Sequence, residues 1–176
     1  SFFATYANID GYTYTGNPVP VDERPELDRW ILSRLQTTIS TVIDELDDYH
    51  PTNAARAVEQ FVDDLSNWYL RRSRRRFWAS KQSQNGTANG ESESVSASSK
   101  QAAYDTVYEC LEAVSRLMSP IAPFFGEWLF QALHDSDATP AADSVHLADF
   151  PASTKTRQDD ALEHRMGLAR TISSVV

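Results

Sequence analysis

From Leu27 to Leu46 the apolar residues return every three or four positions: Leu27, Trp30, Ile31, Leu35, Ile39, Val42, Ile43 and Leu46. That spacing follows the 3.6-residue turn of an α-helix and gives one apolar face. The same rhythm recurs along the chain, and no stretch shows the strict alternation of a half-buried sheet. It therefore predicts an all-α fold, an antiparallel helical bundle. A first helix is expected over Glu26–Tyr49, with Pro25 at its first turn. His50-Pro51 breaks it, because a proline disfavours helix at the residue before it. A second helix follows from about Thr52 to Trp78, striped by Ala54, Ala55, Val58, Phe61, Val62, Leu65 and Trp68 or Tyr69. The break is short, so the two should lie antiparallel.

Lys81 to Ser99 is almost entirely small or polar, too poor in apolar surface to offset chain entropy, and is expected to be a flexible linker. A third helix is expected over Lys100–Met118, on a stripe through Ala103, Tyr104, Val107, Cys110 or Leu111, Val114 and Leu117. A fourth runs from Pro120 to His134, with Ser119 as cap. It is apolar nearly all round, which is the pattern of a central helix. Residues 135–143 form a polar loop, and Ser144–Leu147 with Phe150-Pro151 should lie extended. A last helix over Asp159–Val176 would turn Leu162, Met166, Ala169 and Ile172 inward. The organisation expected is a connecting segment at 1–25, a bundle at 26–151 and the start of a helical extension at 152–176. The chain opens on Ser1 inside an apolar segment and stops inside a helical pattern, so a piece of a longer protein is expected.

Function classes narrow quickly. No apolar run approaches the roughly 20 residues of a membrane span, so no membrane partner is expected. Cys110 is the lone cysteine, which excludes an internal disulfide and a multi-cysteine zinc site; a cytoplasmic location is expected. The histidines His50, His134, His146 and His164 are scattered, without a second ligand at metal spacing. Asp47-Asp48 and Asp159-Asp160 sit at helix ends, where acidic residues cap or stay solvated. There is no glycine-rich phosphate loop, and no nucleophile stands beside a base. No catalytic residue and no cofactor are expected in this chain.

One stretch stands out chemically. Residues 71–81, RRSRRRFWASK, carry six positive charges and no acid, in a chain of net charge −9. The remainder therefore sums to −15 (−9 minus 6). With 13 Arg, 3 Lys and 25 acidic residues, the composition resembles proteins adapted to high salt. Guanidinium groups fork onto phosphate and stack on rings, and a basic, aromatic-flanked helix is the usual footprint of nucleic-acid contact. At about 100° per residue the apolar stripe continues to Arg72 and Arg76. These two should orient the helix through ion pairs, with Glu127 or Asp105 as partners. Arg71, Arg74 and Arg75 should point outward to phosphate, with Lys81 beyond them. Trp78 or Phe77 should stack on a base or brace the helix. The rival reading is a structural bundle whose arginines are all paired internally.

The segment Ser66–Trp78, SNWYLRRSRRRFW, resembles the signature helix in the anticodon-binding domain of isoleucyl-tRNA synthetases. FFATYANIDG at 2–11 is similar to the segment that joins that domain to the catalytic core, and LDRWILSRL at 27–35 to its first long helix. LMSPIAPF at 117–124, followed by Ser144–Leu147 and Phe150-Pro151, resembles its later landmarks. The Ala-Pro-Phe turn is shared with valyl and leucyl enzymes, so those remain alternatives. The resemblance implies a bundle that docks on the anticodon stem-loop of tRNA(Ile), carried by a parent that joins isoleucine to that tRNA with ATP and Mg²⁺. The "HIGH" and "KMSKS" motifs are absent here. The implied partners are tRNA(Ile) and the catalytic core of the same parent, and the fragment alone should be catalytically inactive.

Overall fold

The computed structural model describes residues 2–78, 97–135 and 142–175. Helix α1 spans Phe2–Asp10, α2 Glu26–Asp47 and α3 Pro51–Asp63. A π-helical segment follows at Asp64–Leu70 and runs into α4, Arg71–Trp78. Helix α5 spans Ala97–Met118, α6 Pro123–His134 and α7 Asp160–Val175. Short 3-10 turns lie at Val21–Glu23, Val145–Leu147 and Lys155–Arg157. No strand occurs among the described residues; the fold is an all-α helical bundle. Residues 81–96 of the expected linker lie outside the described residues, and 97–99 already belong to α5.

Helix α2 and the rod formed by α3, the π segment and α4 are antiparallel, as a ladder of cross-contacts records. Near the connecting turn, Asn53 Nδ2 donates to Glu45 at 2.9 Å. Midway, Arg34 Nε reaches Asp64 at 3.3 Å. At the far end, Tyr69 Oη donates to Asp28 at 2.8 Å. The shared core holds Trp30, Ile31, Leu35, Ile39 and Val42 from α2, and Ala54, Val58, Phe61, Leu65 and Tyr69 from the rod. Helix α5 closes it with Ala103, Tyr104, Val107, Cys110, Val114 and Leu117.

The N-terminal strap is fixed to α5 by aromatic stacking. Gly11, at φ +61°, ends α1 in a left-handed turn, and the Tyr12 amide reaches back to the Ala7 carbonyl at 2.8 Å. Tyr12 then stacks on Tyr104 at 4.8 Å between centroids, and Tyr14 on Tyr108 at 4.2 Å. Arg24, 3% exposed, enters behind them, donating to Thr106 at 2.9 Å and to Glu109 at 2.6 Å.

Four expectations are corrected. Helix α6 starts at Pro123, not Pro120; residues 119–122 form turns, and Pro123 takes the first helical position. Nor is α6 central. Phe130 is buried, but Phe124 is 91% and Trp128 65% exposed. A Cβ on Gly126 would stand 2.9 Å from the Ser115 carbonyl oxygen, so the glycine is what lets α6 lie close on α5. The segment at Val145–Leu147 is a 3-10 turn, not extended chain. Glu127 holds it, accepting from Ser144 Oγ at 2.8 Å and the Val145 amide at 2.9 Å. In α7, Leu162 is buried and Met166 half-buried, but Ala169 and Ile172 face solvent; the helix runs past the end of the surface it packs on.

Candidate nucleic-acid interface

Helix α4 has two buried anchors and four exposed arginines. Ser73 and Phe77 are each 1% exposed, and the Phe77 ring meets Tyr104 edge-on at 5.0 Å. Arg71, Arg72, Arg74 and Arg75 are exposed. Among the described residues, no carboxylate lies within ion-pair distance of any of these four. Arg76 is the exception. Its Nη1 and Nη2 grip the two oxygens of Asp28 at 2.5 and 2.7 Å, and Nη2 also donates to the Ser99 carbonyl at 2.5 Å. This is a forked, charge-assisted pair. Asp28 has no exposed side-chain surface.

The titration shifts agree with that geometry. Burial is the largest single influence on Arg76 and works against its charge, but the hydrogen bonds it donates to Asp28, together with the neighbouring Tyr69 and the Asp28 charge, outweigh it and raise the pKa above its usual value. Burial, with the Asp28 charge beside it, pushes the Tyr69 hydroxyl well above the ordinary phenol range. Both groups therefore keep the protonated forms that donate to Asp28.

Several sequence-based assignments change. Arg76 forms an ion pair, but its partner is Asp28, not Glu127 or Asp105. Glu127 is spent on the 144–145 turn, and Asp105 accepts from Tyr12 Oη at 2.9 Å and the Val19 amide at 3.1 Å. Arg72 does not enter the core or form an ion pair. Its guanidinium lies over the Trp68 ring, 3.8 Å from the centroid. Phe77 is a core residue and offers no face to a base; its role is to brace the helix. Trp78 is 56% exposed, as a solvent-facing ring requires. Lys81 lies outside the described residues.

The cause of the shift is the π segment. Sixteen residues separate Phe61 from Phe77, and at about 100° each they overshoot four turns by roughly 160°. Yet Phe61, Leu65, Tyr69, Ser73 and Phe77 are all buried. An i→i+5 turn winds less per residue, so the π segment absorbs the overshoot. It carries the buried face from Arg72 and Arg76 to Ser73 and Phe77. The uniform spacing of four from Phe61 onward was the available signal.

Sequence reasoning also missed Asp28 and Arg170, and it gave Trp68 no part in holding an arginine. An acid at position 28, between the buried Trp30-Ile31-Leu32 and the helix start, is the kind of anomaly that marks a buried ion pair. Arg170 of α7 hydrogen-bonds Asp64 and lies 5.4 Å from the Trp68 ring centroid, which ties α7 to the base of the arginine helix. A cleft of about 260 Å³ opens there, floored by Trp30 and walled by Arg34, Asp64, Glu163 and Arg170. Its charges are mutually paired: Glu163 accepts from Ser33 at 2.5 Å, Thr37 at 3.0 Å and Arg34 at 3.1 Å.

Among the described residues no His, Cys, Asp and Glu side chains gather in threes to hold a metal, and no helix is long and apolar enough to cross a membrane. What the arrangement supplies is a rigid row of outward guanidinium groups, each able to bond phosphate oxygens.

Comparison with known proteins bears on what that row meets. The sequence model for the anticodon-binding domain of tRNA ligase matches residues 28–176. The isoleucine–tRNA ligase of Cytophaga hutchinsonii is 48% identical over all of this chain, which covers 15% of that protein. Those of Porphyromonas gingivalis and Thermus thermophilus are 46% and 44% identical over 99% and 94% of the chain, which covers 14% and 15% of them. The chain thus spans about a seventh of the length of these relatives. The matches favour the isoleucine type over the valyl or leucyl type, and over a bundle without an RNA role. With that match over most of its length, the chain belongs to the anticodon-binding domain family of tRNA ligases.

Proposed function

We propose that this chain is the tRNA-docking part of an isoleucine–tRNA ligase, and that α4 lies against the phosphate backbone of tRNA(Ile) near its anticodon stem-loop. The observation that carries this reading is the outward row Arg71, Arg74 and Arg75, exposed and without carboxylate partners among the described residues. In a chain of net charge −9, free cations on one rigid helix favour a local polyanion contact over a diffuse one. Arg76, locked to Asp28, fixes the rotation of that helix and hence the direction of the row. Phosphate contacts of this kind set register more than they read sequence. The chemistry, joining isoleucine to tRNA(Ile) with ATP and Mg²⁺, belongs to the catalytic core of the cytoplasmic parent, and no step of it is assigned to residues here.

The test is titration with tRNA(Ile) transcript at several salt concentrations. Each phosphate contact contributes a slope of about 0.7–0.9 in log affinity against log salt, so three contacts give a slope steeper than about 2. Affinity that ignores salt contradicts the reading. Charging by the full-length parent of tRNA(Val), and not of tRNA(Ile), contradicts the isoleucine assignment.

A further inference from the structure

Trp68 carries two guanidinium groups that differ in one respect. Arg170 is committed, because Asp64 accepts its N–H. Arg72 is closer to the ring, at 3.8 Å from the centroid. It is exposed and has no carboxylate in ion-pair reach among the described residues. The indole itself is half-buried, and its Nε1 is buried with no hydrogen-bond partner among the described residues. Packing and the two cations, not a hydrogen bond, therefore hold the ring.

A guanidinium is planar and has two faces. In Arg72 the guanidinium carbon lies 3.8 Å from the indole centroid on one side, while the residue as a whole stays exposed to solvent. The cation–π contact also restricts the side chain before any ligand arrives, so less rotamer freedom is lost on binding. A flat, pre-oriented and exposed cation is the form in which arginine receives an unstacked base of single-stranded RNA. Among the described residues Arg71, Arg74 and Arg75 have no such aromatic backing, and this sets Arg72 apart from the phosphate row.

We propose that Arg72, backed by Trp68, is a stacking site for an unpaired nucleobase in an RNA loop. The inference rests on the RNA-binding reading above and adds to it a contact that requires an unstacked base. A side chain that merely covered the indole would affect thermal stability and leave RNA affinity alone. A phosphate-bonding side chain would act alike on duplex and loop.

The experiment compares the chain with its Arg72→Lys variant, which keeps the charge and loses the plane. Two RNA probes are used: an anticodon stem-loop hairpin, and the blunt duplex of its stem alone. Each is titrated at several salt concentrations below the melting transition of both proteins. The expected result is a roughly tenfold loss of hairpin affinity, an unchanged salt slope and unchanged binding to the duplex. Equal hairpin affinity in the variant overturns the proposal, as does an equal loss on hairpin and duplex. If the unmodified chain binds neither RNA, the docking reading has failed first, and the stacking site falls with it. That outcome is visible without any variant and so is distinct from failure of the Arg72 assignment alone.

Discussion

Helices α4 and α6 reverse what their compositions suggest. Helix α4 has five arginines in eight residues, yet it places Ser73 and Phe77 in the core and holds Arg76 against a fully buried aspartate. Helix α6 is apolar nearly throughout, yet it leaves Phe124 and Trp128 largely in solvent and packs through Gly126 and Phe130. Apolar content therefore does not locate a helix in this bundle. What decides is whether the neighbouring elements supply matching partners. Asp28 and the Ser99 carbonyl accept from Arg76, so a charged helix is anchored. For α6, the backbone at Ser115 of α5 and at Ser119 just beyond it admits a glycine at position 126 and nothing larger, while Phe124 and Trp128 turn outward.

The contrast is broken most strongly at Asp28. In Asp28→Ala the Tyr69 hydroxyl loses its acceptor and the largely buried Arg76 charge keeps only the Ser99 carbonyl. Removing one partner of a buried pair costs about 3–5 kcal/mol, read as a lowered denaturant midpoint. A loss below about 1 kcal/mol would mean that Arg76 finds water instead, and that α4 is not held by the pair. The next test sets the two aromatic helices side by side. Phe77→Ala should cost about 3–5 kcal/mol, because it opens a cavity beside Tyr104. Phe124→Ala, at a position 91% exposed, should change stability by no more than about 0.5 kcal/mol. Equal costs would erase the distinction between the helices.

The smallest effect concerns the far side of α6. Hydrogen bonds from Gln131, Ser144 and the Val145 amide hold the Glu127 carboxyl below its ordinary value of 4.5. Because the folded state favours the ionised form, its contribution is full above the unfolded value and fades as pH falls through the lowered folded one. Wild type should therefore lose a little stability on acidification below about pH 4.5. Glu127→Gln should be less stable at neutral pH and lack that part of the acid slope. Thermal melts across pH 3–7 check this; a steeper acid loss in the variant contradicts it.

How far the sequence was legible follows from the same physics. Helices α2 and α5 were readable because their stripes keep the three-and-four rhythm throughout. The antiparallel pairing of α2 with the rod was readable from the short break at His50-Pro51. The family was readable from a contiguous motif, Ser66–Trp78, whose residue order needs no three-dimensional knowledge. The rotation of α4 was not, because extending an ideal helix through Asp64–Leu70 ignores the wider π turn. That one irregularity moved Arg72 out of the core and Phe77 into it. The partner of Arg76 was hidden for a related reason: Asp28 is 48 positions away, and pairing at that range depends on how two helices face each other. The exposure of α6 was illegible because an all-round apolar pattern says nothing about which neighbours exist.

The central claim is that the free arginines of α4 meet phosphate. The most direct measurement is the salt dependence of tRNA(Ile) binding by Arg71→Ala/Arg74→Ala beside that of the unmodified chain. The account predicts weaker binding and a log–log slope shallower by about 1.4–1.8, the release of two phosphate contacts. Superimposable curves for the two proteins would contradict it.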